Sequence, residues 1–172
     1  MIKSLSMTII DLLFSRFEFP WGEARIVTSP QGLRSLDLHW SPDDAAGAPL
    51  RESSRSHRPI HAELNAYVRG RLSRFTVPLD PQGTLFQRAV WRALSDIPLG
   101  ATRSYGEIAA AIGRPQAARA VGAACHANPI GIIVPCHRVV GADGALTGYA
   151  GGLDLKARLL AHEQISLARH VA

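Results

Sequence analysis

One adjacent pair in the 172-residue chain, Cys136 and His137, could do nucleophilic chemistry; it lies in the run Pro135-Cys136-His137-Arg138-Val139. A thiol near its reference pKa of about 8.5 is only a few per cent thiolate at neutral pH, so a nucleophilic cysteine needs a proton acceptor beside it. His137 is the candidate. Neighbouring side chains on an extended chain point to opposite faces, so proton transfer between them requires a bridging water or a local kink. A carboxylate behind the imidazole would fix its tautomer and stabilise the imidazolium, and Glu163 is the candidate orienter. The same trio could serve a cysteine hydrolase, but no hydrolase signature surrounds Cys136. Without chemistry, a lone cysteine is a small buried hydrophobe, and that reading suffices for Cys125 among Ala123, Ala124 and Ala127.

A second chemical signal is steric. Between Gln116 and His126 stand Ala117, Ala118, Ala120, Gly122, Ala123 and Ala124, so Arg119 projects from an almost smooth helix. The bland account is a tightly packed interior helix with a surface arginine. The functional account is a helix thin enough to press into a minor groove about 6 Å wide, with Arg119 reaching the base stack. A winged-helix regulator would instead be expected to read the major groove with polar side chains, for which this surface is poorly suited.

These residues need elements to position them. Arg25 to Trp40 alternates around a Ser29-Pro30-Gln31-Gly32 turn and predicts a hairpin; 41–59 is polar and rich in Pro, Gly and Ser, as an exposed loop is. Ala62 to Leu72 reads as a short helix, and Pro78 to Gly83 as a linker with a domain boundary near Gly83. Thr84 with Gln87, and Ser104 with Glu107, are capping-box pairs opening helices over Leu85 to Leu94 and from Ser104 to Gly113. Pro115 starts a further helix ending at Asn128-Pro129, giving a helix-turn-helix. Ile130 to Val134 is an apolar run of strand length that delivers Cys136. Val139, Val140 and the Asp143-Gly144 turn predict a hairpin or wing, and the last helix spans Leu153 to Gln164.

Composition agrees with a folded chain: 47% of residues are hydrophobic and 19% charged. The net charge of +5 is uneven. Residues 1–70 hold eight basic and eight acidic side chains, and 71–172 hold eleven and six. Of the 19 basic residues only Lys3 and Lys156 are lysine. Arginine favours forked phosphate contacts, although arginine-rich codon usage gives the same bias. No apolar run reaches bilayer length, and no secretory signal or paired-ligand spacing is present, so we expect a cytoplasmic protein with no disulfide framework, no metal and no cofactor.

The segments Arg114-Pro115-Gln116-Ala117-Ala118-Arg119-Ala120-Val121-Gly122-Ala123-Ala124, Asn128-Pro129, Pro135-Cys136-His137-Arg138-Val139, Gly148-Tyr149-Ala150-Gly151-Gly152 and Leu159-Leu160-Ala161-His162-Glu163 resemble, in order and spacing, the O6-alkylguanine-DNA alkyltransferase family. The resemblance implies an α/β (α+β) fold: a small N-terminal ribonuclease H-like sheet domain over 1–82 and a C-terminal winged helix-turn-helix domain over 83–172. It implies an irreversible, single-turnover transfer of an alkyl group from flipped O6-alkylguanine in double-stranded DNA to Cys136. His137 would activate Cys136 through a water, Glu163 would orient His137, and Asn128 would brace the turn before the active-site strand. Tyr105 would crowd the neighbouring phosphate and donate toward guanine N3. Arg119 would fill the gap left by the flipped base, with Arg114, Ala118, Ala120 and Gly122 along the DNA-binding surface. Tyr149, the backbone carbonyls of Cys136 and Val139 and the backbone N–H of Ala150 would hold the guanine. Certain members carry serine at the position of Ala150 and proline at that of Gly131. O4-alkylthymine as a second lesion, and cooperative binding of a monomeric protein along DNA, stay open. A non-catalytic damage sensor of the same fold, typically with tryptophan in place of the nucleophile, is the alternative against which Cys136 argues.

Overall fold

The computed structural model describes residues 12–38 and 50–171. Strands β1 (Leu13–Phe19), β2 (Gly22–Ser29) and β3 (Gly32–Asp37) form an antiparallel meander. A short β4 (Arg51–Glu52) adds in parallel to β1, giving the order β3-β2-β1-β4. The predicted hairpin is β2 and β3; Trp40 and residues 41–49 of the predicted loop lie outside the described residues. β1 enlarges the sheet beyond that hairpin. Its buried Ser15, Phe17 and Phe19 alternate with exposed Arg16 and Glu18, the period of a half-buried strand.

β4 and the start of helix α1 (Arg58–Val68) correct the loop reading of 41–59. The helix opens before Ala62 because Pro59 takes its first turn, where a missing N–H costs nothing. Downstream, the chain at 78–80 runs beside β3: Leu33 N–H donates to the Pro78 carbonyl at 2.8 Å and Asp80 N–H to the Leu33 carbonyl at 2.7 Å. Gly32 permits this approach, since a Cβ there would sit 2.5 Å from the Pro78 oxygen.

Helices α2 (Leu85–Ser95) and α3 (Tyr105–Ala111) open with both predicted capping boxes, each formed reciprocally. Helix α4 (Ala118–His126) begins after Pro115 rather than at it, without a side-chain cap, and packs on α3 in the helix-turn-helix arrangement. β5 (Arg103–Ser104) pairs in parallel with β6 (Val139–Val140), so the two valines join β5 and not a following hairpin strand. The Asp143-Gly144 turn closes locally, with Gly141 N–H donating to the Ala145 carbonyl at 2.8 Å. Helix α5 (Gly152–Val171) continues well past Gln164. Its buried stripe is Lys156, Leu159, Glu163 and Ser166, a helical spacing that hydrophobic periodicity misses because three of the four are polar.

Ile26 and Leu36 from the sheet, Leu64 and Tyr67 from α1, Leu94 from α2, Ile130 to Val134, and Leu159 from α5 belong to a single buried cluster. The site below is built where that cluster meets α4 and α5. Among the described residues no helix is long and apolar enough to cross a membrane.

Candidate active site

The apolar run Ile130 to Val134 is not a strand. Ile130 makes one isolated bridge to Leu36, and the chain then folds into consecutive turns, with Ile133 N–H donating to the Gly131 carbonyl and Val134 N–H to the Ile130 carbonyl at 2.8 and 3.0 Å. Ile132 has φ 67°, and it is the non-glycine residue with positive φ among those described. Such a conformation costs about 1–3 kcal/mol. Complete burial of the isoleucine side chain, about 1.5–3 kcal/mol, offsets it. Asn128 supplies the rest: its Oδ1 accepts from Ile130 N–H at 3.1 Å and its Nδ2 donates to the Val134 carbonyl at 2.8 Å. The same Nδ2 lies 3.2 Å from Cys136 Sγ. One side chain therefore shapes the turn and touches the sulfur it delivers.

Cys136–Arg138 forms a 3-10 turn, the local kink that sends His137 into the interior instead of across an extended strand. His137 is fully buried and its Nε2 lies 2.7 Å from Glu163 Oε1. Glu163, also fully buried, accepts further from Arg138 Nε at 2.8 Å, Arg138 Nη2 at 2.9 Å and Tyr67 Oη at 3.0 Å. Arg138 Nη1 donates to the Ile97 carbonyl at 2.5 Å. Burial alone would raise the Glu163 carboxyl, but the His137 hydrogen bond and then Arg138 outweigh it and hold its pKa at about 2. An ionised carboxylate only accepts, so the His137 proton sits on Nε2 and the Nδ1 lone pair is left bare. Nδ1 is buried and has no hydrogen-bond partner among the described residues. That is the atom able to take a proton.

Burial lowers the His137 pKa, a pull that Glu163 opposes. Burial likewise raises the Cys136 thiol above its ordinary value, partly countered by Asn128 and by Lys156. The resting pair is therefore neutral thiol and neutral imidazole. Lys156 is fully buried, and its Nζ donates to the Val139 and Thr147 carbonyls, each at 2.6 Å.

Cys136 opens into a cavity of about 460 Å³ walled by Tyr105, Ala118, Arg119, Gly122 and Tyr149. Cys125 lines the same wall, its thiol pushed up by burial to about 12, in keeping with a helix-core residue. The Tyr105 hydroxyl donates to the Thr147 carbonyl at 3.2 Å, at the rim. Ala150 borders an adjoining cavity of about 360 Å³ that also reaches Cys136, Asn128 and Tyr149. Arg114 and Ala120 are exposed but do not line the first cavity, and Val139 is buried, its carbonyl accepting from Lys156 with one of its two lone pairs. Sequence reasoning gave no role to Tyr67, Arg138 or Lys156. Arg138 stands inside the quoted cysteine motif, and Lys156 is a lysine in a chain that otherwise uses arginine almost throughout. Tyr67, 96 residues from Glu163, carries no local signal.

Residues 85–165 match the family model described as 6-O-methylguanine DNA methyltransferase, DNA binding domain. A methylated-DNA–protein-cysteine methyltransferase of Methanosarcina barkeri is 45% identical over 157 residues, covering 91% of this chain and 99% of the relative. The protein of the same description from Mycolicibacterium paratuberculosis is 49% identical over 155 residues, covering 83% and 92%. Among solved structures, Mycobacterium tuberculosis OGT in complex with DNA superposes with a TM-score of 0.82 at 44% identity, over 90% of this chain and 94% of that one.

Proposed function

The chain belongs to the methylated-DNA–protein-cysteine methyltransferase family, and on that premise we propose that Cys136 is the alkyl acceptor of a direct-reversal DNA repair protein acting on O6-alkylguanine in duplex DNA. One observation carries the reading: a thiol facing a cavity rimmed by Arg119, with an imidazole behind it whose free nitrogen is fixed by an ionised carboxylate. Residues 83–172 carry the DNA-binding and alkyl-accepting parts, and the protein works in the cytoplasm.

The small residues Ala118, Ala120 and Gly122 let α4 approach a groove, and Arg119 takes the place of the extruded nucleotide, because the target atom cannot be reached inside the stack. Tyr105, Tyr149, the backbone at Cys136 and Val139, and the Ala150 N–H then hold the base. The thiol proton passes through a water to His137 Nδ1, and Glu163, steadied by Arg138 and Tyr67, stabilises the imidazolium. Sulfur attacks the alkyl carbon, the carbon–O6 bond breaks with its electron pair going to guanine, Tyr105 protonates the purine at N3, and the proton held by the His137 imidazolium returns through water to the Tyr105 phenolate. The products are a thioether on Cys136 and restored guanine. A thioether is not hydrolysed under mild conditions, so one protein molecule repairs one lesion.

The test is to mix the protein with a duplex carrying a single O6-methylguanine and to locate added methyl by peptide mass spectrometry. One methyl on Cys136 per protein is expected, and Cys136→Ser should bind the duplex without accepting it. DNA binding with Cys136 unmodified would overturn the assignment in favour of a sensor.

A further inference from the structure

Two arginines just past the end of α1 and one near the end of α5 meet at a place the repair reaction does not use. α1 ends in a tight reversal: Gly70 adopts φ +65°, Gly70 N–H donates to the Tyr67 carbonyl and Arg71 N–H to the Ala66 carbonyl, both at 2.8 Å. The reversal is pressed against α5, since a Cβ on Gly70 would lie 2.7 Å from Ser166 Oγ, and His162 Nε2 donates to the Tyr67 carbonyl at 2.9 Å. Arg69 and Arg71 therefore flank a fixed glycine, and Arg169, one helical turn beyond Ser166, joins them. These four residues line a concavity of about 430 Å³ with no carboxylate on its wall. None of the three guanidinium groups has an ion-pair or hydrogen-bond partner among the described residues. Favourable placement near helix C-termini accounts for single cations but not for three converging on one hollow, where they repel.

Contacts place this hollow away from the alkyl-accepting cavity. From Cys136 the path runs through His137 to Glu163, then to Tyr67, and only then to Gly70 and the arginines. Arg119 lines the cavity at the Cys136 end of that chain of contacts, and the two cavities share no lining residue. We propose that Arg69, Arg71 and Arg169 form a second nucleic-acid site that grips backbone phosphates of another DNA segment while the first is held at α4. Guanidinium forks suit phosphate, and the partner already established for this chain is DNA. The proposal rests on the DNA-repair reading only for the identity of the first segment.

The experiment uses two short lesion-free duplexes, one labelled with a donor fluorophore and one with an acceptor, each too short for two protein molecules, mixed with the full chain. Energy transfer between them is expected on adding protein. The affinity for the second duplex, read from its titration into the complex with the first, should fall about 40-fold between 50 and 200 mM salt if three phosphates are engaged. The triple variant Arg69→Gln, Arg71→Gln, Arg169→Gln should lose bridging while retaining melting temperature and methyl transfer to a single O6-methylguanine duplex. The triple lysine variant should restore bridging. Bridging unchanged in the glutamine variant, or no bridging by the parent protein, overturns the second site. Loss of methyl transfer in the parent protein would instead bear on Cys136. Bridging abolished by an acidic peptide but insensitive to the arginine changes would also refute the assignment.

Discussion

Tyr67→Phe isolates the contribution of the first helix to the catalytic relay. The change keeps the ring in its packing with Phe75 and His162 and removes one hydroxyl, which donates to Glu163 Oε1 at 3.0 Å. A hydrogen bond to a charged group contributes about 1.5–3 kcal/mol. Glu163 keeps its bonds to His137 and both Arg138 nitrogens, so the loss belongs at the lower end, about 1.5 kcal/mol. For a chain of this length that corresponds to a melting temperature lower by about 3–6 °C. The chemistry should respond differently. With Tyr67 gone, Oε1 has one competitor fewer for the His137 proton, the imidazole becomes a stronger base, and transfer to an O6-methylguanine duplex should hold its rate or rise. Thermal melting and single-turnover transfer on the same preparation check both halves. A variant as stable as its parent, or one of lower stability whose transfer falls tenfold at a temperature where it is folded, would refute the description of Glu163 as a shared acceptor.

Arg119→Ala should slow transfer in duplex DNA far more than transfer from free O6-alkylguanine base, and equal slowing of both in rapid-quench measurements would remove its assigned role. Asn128→Ala removes the brace of the 130–134 turn and the contact to sulfur; we expect about 2–3 kcal/mol lower stability by denaturant titration, with slower transfer. Because Glu163 is held at about 2 in the folded chain, against an ordinary value of 4.5, its stabilisation is present above pH 4.5 and is lost as pH falls toward 2. Stability measured across that window should depend less steeply on pH in Glu163→Gln, which should also be less stable at pH 7 because Arg138 then loses its anion. His137, with its pKa lowered by burial, acts with the opposite proton balance from a paired histidine: below about pH 6.5 the unfolded chain takes a proton that the folded one refuses, so stability should fall there, and His137→Gln should flatten that limb.

Where structure depended on neighbours in sequence, the residues declared it. Thr84 with Gln87 and Ser104 with Glu107 sit three apart and bond each other's backbone, so both helix starts were readable. The Cys136 motif and the small-residue face around Arg119 were visible for the same reason. Ile130 to Val134 misled because an apolar run reports burial, not conformation; the turns there are imposed by Asn128 and by the edge of β3. α5 outran its apolar pattern since its inner face carries Lys156 and Glu163, whose partners lie on other elements, and Ser166, whose hydroxyl bonds back to the His162 carbonyl. Tyr67 and Arg138 became part of the site only when α1 and the 3-10 turn closed around one carboxylate.

The burial that raises the Cys136 thiol has a consequence for a protein that reacts once. A permanently ionised sulfur would be alkylated by any small electrophile that diffused in, and each such event would remove a repair molecule without repairing anything. Here the sulfur waits as a neutral thiol on a residue only 7% exposed, with a deprotonating nitrogen behind it that is itself buried. Chemoselectivity and working lifetime are thus two readings of one arrangement: the nucleophile stays dormant until an occupant of the cavity excludes bulk water and supplies the leaving group.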